Sequence, residues 1–167
     1  GVESGPEPDL VIVCVPPDLT AEVVIDQLKK HPSAFVTDVA SVKSKVLQDV
    51  QDALPEQAHR YIGSHPMAGR EKGGPAAARA DLFFARPWII TTSKDANPDA
   101  VELIRDVALR LGALPIELSA TEHDEAVALV SHLPQLVATL LANRLNMGTL
   151  EQLGLSGQGL RDTSRIA

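Results

Sequence analysis

Apolar positions change their period along the chain, and each change marks an element. Asp9-Leu-Val-Ile-Val-Cys-Val15 is an unbroken β-branched run of strand length. Such a run suits a parallel strand covered on both faces. Pro16-Pro17 stops it. Asp18 is a suitable helix N-cap. Leu19, Val23, Val24 and Leu28 then recur at helical spacing, ending at Lys29-Lys30-His31 and Pro32. Basic residues favour a helix C-terminus. Ala34-Phe-Val-Thr37 reads as a second strand and Asp38-Val-Ala-Ser41 as a turn. Val42, Val46, Leu47 and Val50 share one face of a second helix over 42–54. Tyr61-Ile62 begins a third strand. Strand–helix–strand–helix–strand is the rhythm of a doubly wound parallel sheet. The predicted class is α/β, a partial Rossmann-like sheet followed by an all-helical region.

The second half predicts a short helical turn over 76–80, a strand over 86–92 with a packing Trp88, and a helix opened by Asn97-Pro98 and stopped by Gly112. Residues 113–118 read as a short strand, and Pro115 places it at an edge. Ser119-x-x-Glu122 is a capping box. It opens a helical stretch to about Leu145, broken near Pro134. Residues 148–159 read as loop, and a helix begins at Leu160. The boundary is expected near Leu118, giving parts 1–118 and 119–167.

Composition narrows the picture. The 167 residues are 44% apolar but only 3% aromatic, so the core is aliphatic. The net charge is −7. That argues against a nucleic-acid partner, which needs a concentrated basic footprint. No apolar run is read as reaching the roughly 18 residues of a membrane span, and no signal peptide is visible. A soluble, cytoplasmic protein is expected. Cys14 is the one cysteine. It reads as a small buried hydrophobe, and neither a disulfide nor a metal site is expected.

Candidate chemistry gathers at Tyr61-Ile-Gly-Ser-His-Pro-Met-Ala-Gly69. Pro66 biases His65 toward extended backbone. A histidine held at a strand end on a glycine-rich loop is well placed for general-base work. In doubly wound sheets ligands sit beyond the carboxyl ends of the strands. Val15-Pro16-Pro17-Asp18, residues 37–41 and residues 63–66 should therefore line one cleft. Ser41 is expected to cap the second helix, whose N-terminus, with Lys43 alongside, would offer positive potential to an anion. Asp38 is a turn former or a cleft carboxylate, with the turn preferred.

Four motifs now stand in order: Thr37-Asp-Val-Ala-Ser-Val-Lys43, Gly63-Ser-His-Pro-Met-Ala-Gly69 with Glu71, Ser131-His-Leu-Pro-Gln135 and Gly159-Leu-Arg-Asp-Thr-Ser-Arg-Ile-Ala167. Together they resemble the prephenate/arogenate dehydrogenase family of tyrosine biosynthesis. The resemblance implies NAD(P)-dependent oxidative decarboxylation of prephenate to 4-hydroxyphenylpyruvate, with arogenate as the alternative substrate. It implies His65 as the base and Ser41 as a hydrogen-bonding partner near the hydroxyl and the nicotinamide. Arg165 would clamp a carboxylate, with His132, Gln135 and Gly69 near the substrate. Val15, Pro16, Pro17, Asp38 and Ser41 are the candidates for cofactor contact, NAD or NADP. The helical region implies a homodimer in the complete protein.

Two departures accompany the resemblance. Members carry a Gly-x-Gly-x-x-Gly loop after their first strand. This sequence has none, so 1–118 reads as a nucleotide-binding domain without its first βαβ unit, and 119–167 as the start of the helical domain. Gln135 stands where several members have a second histidine. Glutamine hydrogen-bonds but does not take up a proton, which leaves prephenate and arogenate both open. A related hydroxy-acid dehydrogenase and a non-catalytic fragment are the remaining readings.

Overall fold

The structure is a computed structural model and describes residues 6–69, 74 and 78–164. Contacts divide the chain into two compact units, Gly1–Asp124 and Glu125–Ala167.

The first unit is built on two sheets. Strand β1 (Leu10–Val13) pairs in parallel with β2 (Phe35–Asp38), register Leu10 to Phe35. The crossover is helix α1 (Pro17–Lys30). It starts at the proline pair because proline has the helical φ and needs no amide partner there. Pro16, not Asp18, occupies the N-cap position, and Asp18 lies in the first turn. At the other end, Arg60 donates to the carbonyls of Leu28 (2.9 Å), His31 (2.9 Å) and Ala34 (2.7 Å). One guanidinium thus satisfies carbonyls that a helix end leaves open. Helix α2 is Ser44–Ala53. Val24 and Leu28 of α1 and Val46 and Val50 of α2 pack with Val13, Val36 and Tyr61 into one aliphatic core.

The second sheet runs in the order β3 (Ser64–Pro66), β4 (Pro87–Thr91), β5 (Leu114–Leu118). A parallel bridge between Val36 and Tyr61, with the Ile62 amide donating to the Val36 carbonyl (3.0 Å), joins it to β2. β3 and β4 are antiparallel, so the sheet is mixed rather than wholly parallel. A parallel partner requires a crossover, usually helical. No helix is assigned between β3 and β4 among the described residues. β4 and β5 are parallel, joined over α3 (Pro98–Arg110). Asn97 caps α3 by accepting the Asp99 amide (2.9 Å). Gly112 follows the helix at φ +73°, a left-handed position that glycine tolerates. Ile104, Ala100 and Ala108 of α3 pack with Ile62, Trp88 and Ile90 into a second core. As predicted, β5 is an edge strand, paired only with β4 among the described residues.

Helix α4 (Ala120–Val127) opens with the predicted capping box. Ser119 Oγ accepts the Glu122 amide (3.2 Å), and the Glu122 carboxylate accepts the Ser119 amide (2.8 Å).

In the second unit, a π-helical segment (Ala128–His132) leads into α5 (Leu133–Leu145). The irregularity precedes Pro134 rather than breaking the helix at it. Pro134 sits in the first turn of α5, where it is tolerated. Helical residues run unbroken from Ala120 to Leu145, and an 18-residue window within them has a mean hydropathy of 1.4, long and apolar enough to cross a membrane by length and composition. That corrects the expectation of no such stretch, which Ser131, His132 and Gln135 had masked. The tail expected to be loop contains α6 (Leu150–Gly154), opened by a second capping box of Thr149 and Gln152. Helix α7 (Gln158–Ser164) follows. The alanine-rich turn over 76–80 falls partly outside the described residues.

Candidate functional site

A cavity of about 610 Å³ lies at the carboxyl ends of β1 and β2 and beside β3. Cys14, Val15 and Pro17 reach it from the loop after β1. Val39, Ala40 and Ser41 reach it from the loop after β2. His65, Pro66 and Ala68 reach it from β3 and the turn beyond. Three segments far apart in sequence thus converge on one largely apolar cavity, with Ser41 and His65 among its polar members. Ile12, Leu82, Phe83, Trp88 and Leu111 complete its wall among the described residues. Trp88 packs against Phe83 at 5.1 Å, and its indole N–H is buried with no acceptor among the described residues.

His65 lies extended in β3, opposite Ile89 of β4. Strand alternation buries Ser64 and Pro66 on one face and leaves His65 half-buried on the other. Its Nδ1 is 2.9 Å from Nε2 of His123, with the rings edge to face. His123 is fully buried, and its Nδ1 is 2.8 Å from Asp124 Oδ1.

Asp124 also takes the N-terminus of α2. Its Oδ1 accepts the Lys43 amide (2.9 Å) and its Oδ2 the Ser44 amide (2.8 Å). Burial tends to raise its pKa, but the hydrogen bonds from Ser44, His123 and Lys43 outweigh this and hold the carboxylate below its ordinary value. The expectation for Ser41 is corrected accordingly. α2 begins three residues later, with Lys43 at the N-cap position, and Ser41 does not cap it. The anion at this helix N-terminus is the chain's own Asp124.

Lys43 is corrected in the same way, while Asp38 takes the turn role preferred for it. Lys43 does not present its charge to the cavity: its ammonium is buried and ion-paired with Asp38 Oδ1. Burial lowers the Lys43 pKa, and Asp38 opposes that. Asp38 is fully buried, so it is a turn former and not a cleft carboxylate available to a cofactor. Its Oδ1 accepts the Ala40 amide (2.8 Å), an Asx turn, and its Oδ2 accepts the Tyr61 hydroxyl (2.6 Å). Burial, first, and the nearby Asp38 raise the Tyr61 pKa well above the usual phenol value. Gly63 runs so close beneath this network that a Cβ there would meet Thr91 Oγ1 at 2.9 Å, Tyr61 Oη at 3.0 Å and Lys43 Cδ at 3.1 Å.

The other expected residues are scattered. Pro16 is the N-cap residue of α1 and does not line the cavity. Gly69 lies at an adjoining cavity of about 480 Å³ with Arg79, Asp81 and Arg86. Ala68 and Leu82 line both cavities. His132 and Gln135 belong to the second unit, both exposed, His132 in the π-helical segment and Gln135 in the first turn of α5. Gln135 Nε2 is 3.5 Å from Thr139 Oγ1. Arg165 and Glu71 lie outside the described residues. Cys14 is exposed at the cavity rather than buried in the core. Among the described residues no cluster of His, Cys, Asp and Glu could hold a metal ion.

His123 and Asp124 were not singled out in the sequence. Their signal is faint: an adjacent His-Asp pair in the first turn after a capping box.

Comparison with known proteins covers nearly the whole chain. Residues 2–117 match the family model described as prephenate dehydrogenase, nucleotide-binding domain. Residues 119–167 match prephenate dehydrogenase, dimerization domain. A probable prephenate dehydrogenase of Streptomyces niveus is 37% identical over 156 residues, which are 91% of this chain and 43% of that protein. Prephenate dehydrogenase from Aquifex aeolicus, solved in complex with hydroxyphenyl propionate and NAD+, is 31% identical with a TM-score of 0.83 over 96% of this chain and 56% of that one. Synechocystis arogenate dehydrogenase is 29% identical with a TM-score of 0.76, over 95% of this chain and 58% of that one. The chain spans about half the length of the relatives it matches. With its two parts each matched by a domain of the same enzyme, the chain belongs to the prephenate dehydrogenase family.

Proposed function

We propose that this chain carries the catalytic core of an NAD(P)-dependent prephenate dehydrogenase. The observation that carries the reading is the placement of His65 and Ser41 in one cavity at the strand ends, within a chain of this family. The cavity suits a nicotinamide: its wall is mostly apolar, and it lies where nucleotide-binding sheets hold their ligands. Val15, Pro17 and Ser41 would hold that end of the cofactor. When bound, the cofactor supplies the hydride acceptor.

The chain's own residues do the rest. Ser41 orients the substrate hydroxyl. His65 takes the hydroxyl proton, which eases departure of hydride from the same carbon. The ring carboxylate leaves as carbon dioxide, its bonding pair stays in the ring, and the ring becomes aromatic. The proton then returns to the phenolic oxygen. Arg165 holds a substrate carboxylate, with His132, Gln135 and Gly69 as further substrate contacts. The polar donors and the base are few, as is usual for a small-molecule site with an apolar wall.

Self-association through the helical unit belongs to the same reading. Leu133, Leu136, Val137 and Leu140 of α5 are exposed, and the match there is to a dimerization domain. A second copy would cover them. A soluble, cytoplasmic location rests on the family alone.

Arogenate is the alternative substrate, left open by Gln135 and supported by the likeness to an arogenate dehydrogenase. The test is a rate comparison of prephenate, arogenate and simple hydroxy acids with NAD+ and NADP+, read as formation of reduced cofactor. Turnover of prephenate or arogenate alone is expected. Turnover of simple hydroxy acids but neither ring substrate would overturn the reading.

A further inference from the structure

With both rings neutral, the hydrogen bonds at Asp124 set the protons along the His65–His123–Asp124 line. Asp124 is a carboxylate that only accepts hydrogen bonds. The Lys43 and Ser44 amides donate to it, at the N-terminus of α2, where negative charge is favoured. His123 Nδ1, 2.8 Å from Asp124 Oδ1, must therefore carry a hydrogen. In a neutral imidazole that leaves Nε2 as an acceptor. The nitrogen 2.9 Å away, Nδ1 of His65, must then be the donor. The basic nitrogen of neutral His65 is consequently Nε2.

We propose that His123 and Asp124 are positioning residues that lock His65 in the Nδ1–H tautomer. This goes beyond the assignment of His65 as base, and its kinetic consequence rests on that assignment. A free histidine ring can rotate and exchange tautomers. Here a fully buried ring and a carboxylate fixed to a helix N-terminus remove that freedom. When His65 gains a proton at Nε2, its Nδ1–H already points at an acceptor backed by a negative charge. The imidazolium is thereby stabilised without rearrangement, as when a carboxylate orients a catalytic histidine. The loop bearing Ser41 leads directly into α2, so one carboxylate anchors both the base and the turn that brings Ser41 to the cavity.

The test is direct. The chain has five histidines, so a long-range proton–nitrogen correlation spectrum of histidine-labelled protein is resolvable. His65→Asn identifies the His65 signals by their loss. At about pH 8.5, above the usual histidine pKa, His65 should show a hydrogen on Nδ1 and none on Nε2. A protonated Nε2 would overturn the proposal, and this measurement needs no other variant to fold. His123→Leu should release His65 to the Nε2–H form. It should also lower kcat by roughly 100-fold with KM little changed. His123→Gln, whose amide oxygen can accept, should restore much of both. Unchanged kcat in His123→Leu would sink the positioning role. A locked Nδ1–H with no turnover of either ring substrate would sink the proposed reaction and support the relay. Turnover with an Nε2–H His65 would sink the relay alone.

Discussion

The amide of Ser44 donates to Asp124 across 80 residues of sequence, at 2.8 Å. Helix α2 is therefore capped by a side chain from within α4, not by its own neighbourhood. A cap of this kind is worth about 1–2 kcal/mol.

Asp124→Asn should lower the melting temperature by roughly 2–8 °C, taking about 2–4 °C per kcal/mol for a chain of this size. The effect has a definite pH dependence. The folded-state pKa of Asp124 is depressed, so its contribution is complete above the unfolded value of about 3.9 and disappears as pH falls through the lower folded value. Melting curves of both proteins from neutral to strongly acid pH should converge at the acid end. A gap that stays constant would argue against an ionic cap.

His65→Asn should reduce turnover about 100- to 10,000-fold, the range for loss of a positioned base. Cofactor affinity, measured by calorimetry, should change little. Full turnover in the variant would remove His65 from the chemistry.

These elements differ in how much of them the chain displays locally. Helices α1 and α3 are legible because proline, Asn97 and Gly112 mark their ends on the spot. The strands show as β-branched runs. The start of α2 is not legible, because the group that caps it is far away in sequence. Ser41, a good local cap, is drawn to the cavity instead. The direction of β3 is hidden too: Ser64-His65-Pro66, just after a glycine turn, carries no sign of antiparallel pairing. His65 stands out through its glycines and proline. His123 does not, since a histidine in a helical turn has the same local look whether buried or solvated. Asp38 read as a turn residue because it is one, but its ion pair with Lys43 depends on the fold.

Gly63→Ala should destabilise the chain by about 1–3 kcal/mol, because the new methyl meets three well-packed atoms. Thr91 Oγ1 is the nearest and donates to the Gly63 carbonyl (2.9 Å), so it cannot simply turn away. In a denaturant double-mutant cycle, Thr91→Ala should relieve part of the cost of Gly63→Ala. Additive costs would show that the crowding lies elsewhere.

Arg165→Ala should raise KM for the ring substrate at least about tenfold, the weight of one lost charge-assisted contact. Steady-state kinetics at saturating cofactor would measure it. A change confined to the cofactor constant would count against a carboxylate clamp.

Pro115 is the second residue of β5, the outer strand of its sheet among the described residues. The Leu114 amide points inward, to the Arg86 carbonyl (2.8 Å), so the next nitrogen along the strand faces outward. In Pro115 that nitrogen has no hydrogen to offer. The following outward position is Glu117, whose carboxylate pairs with Arg105. An approaching strand from another molecule would thus meet a missing donor and then a charge, even though Leu114 and Ile116 are exposed beside it. The open side of the sheet is protected against runaway strand addition by residues that add little to the sheet's own pairing.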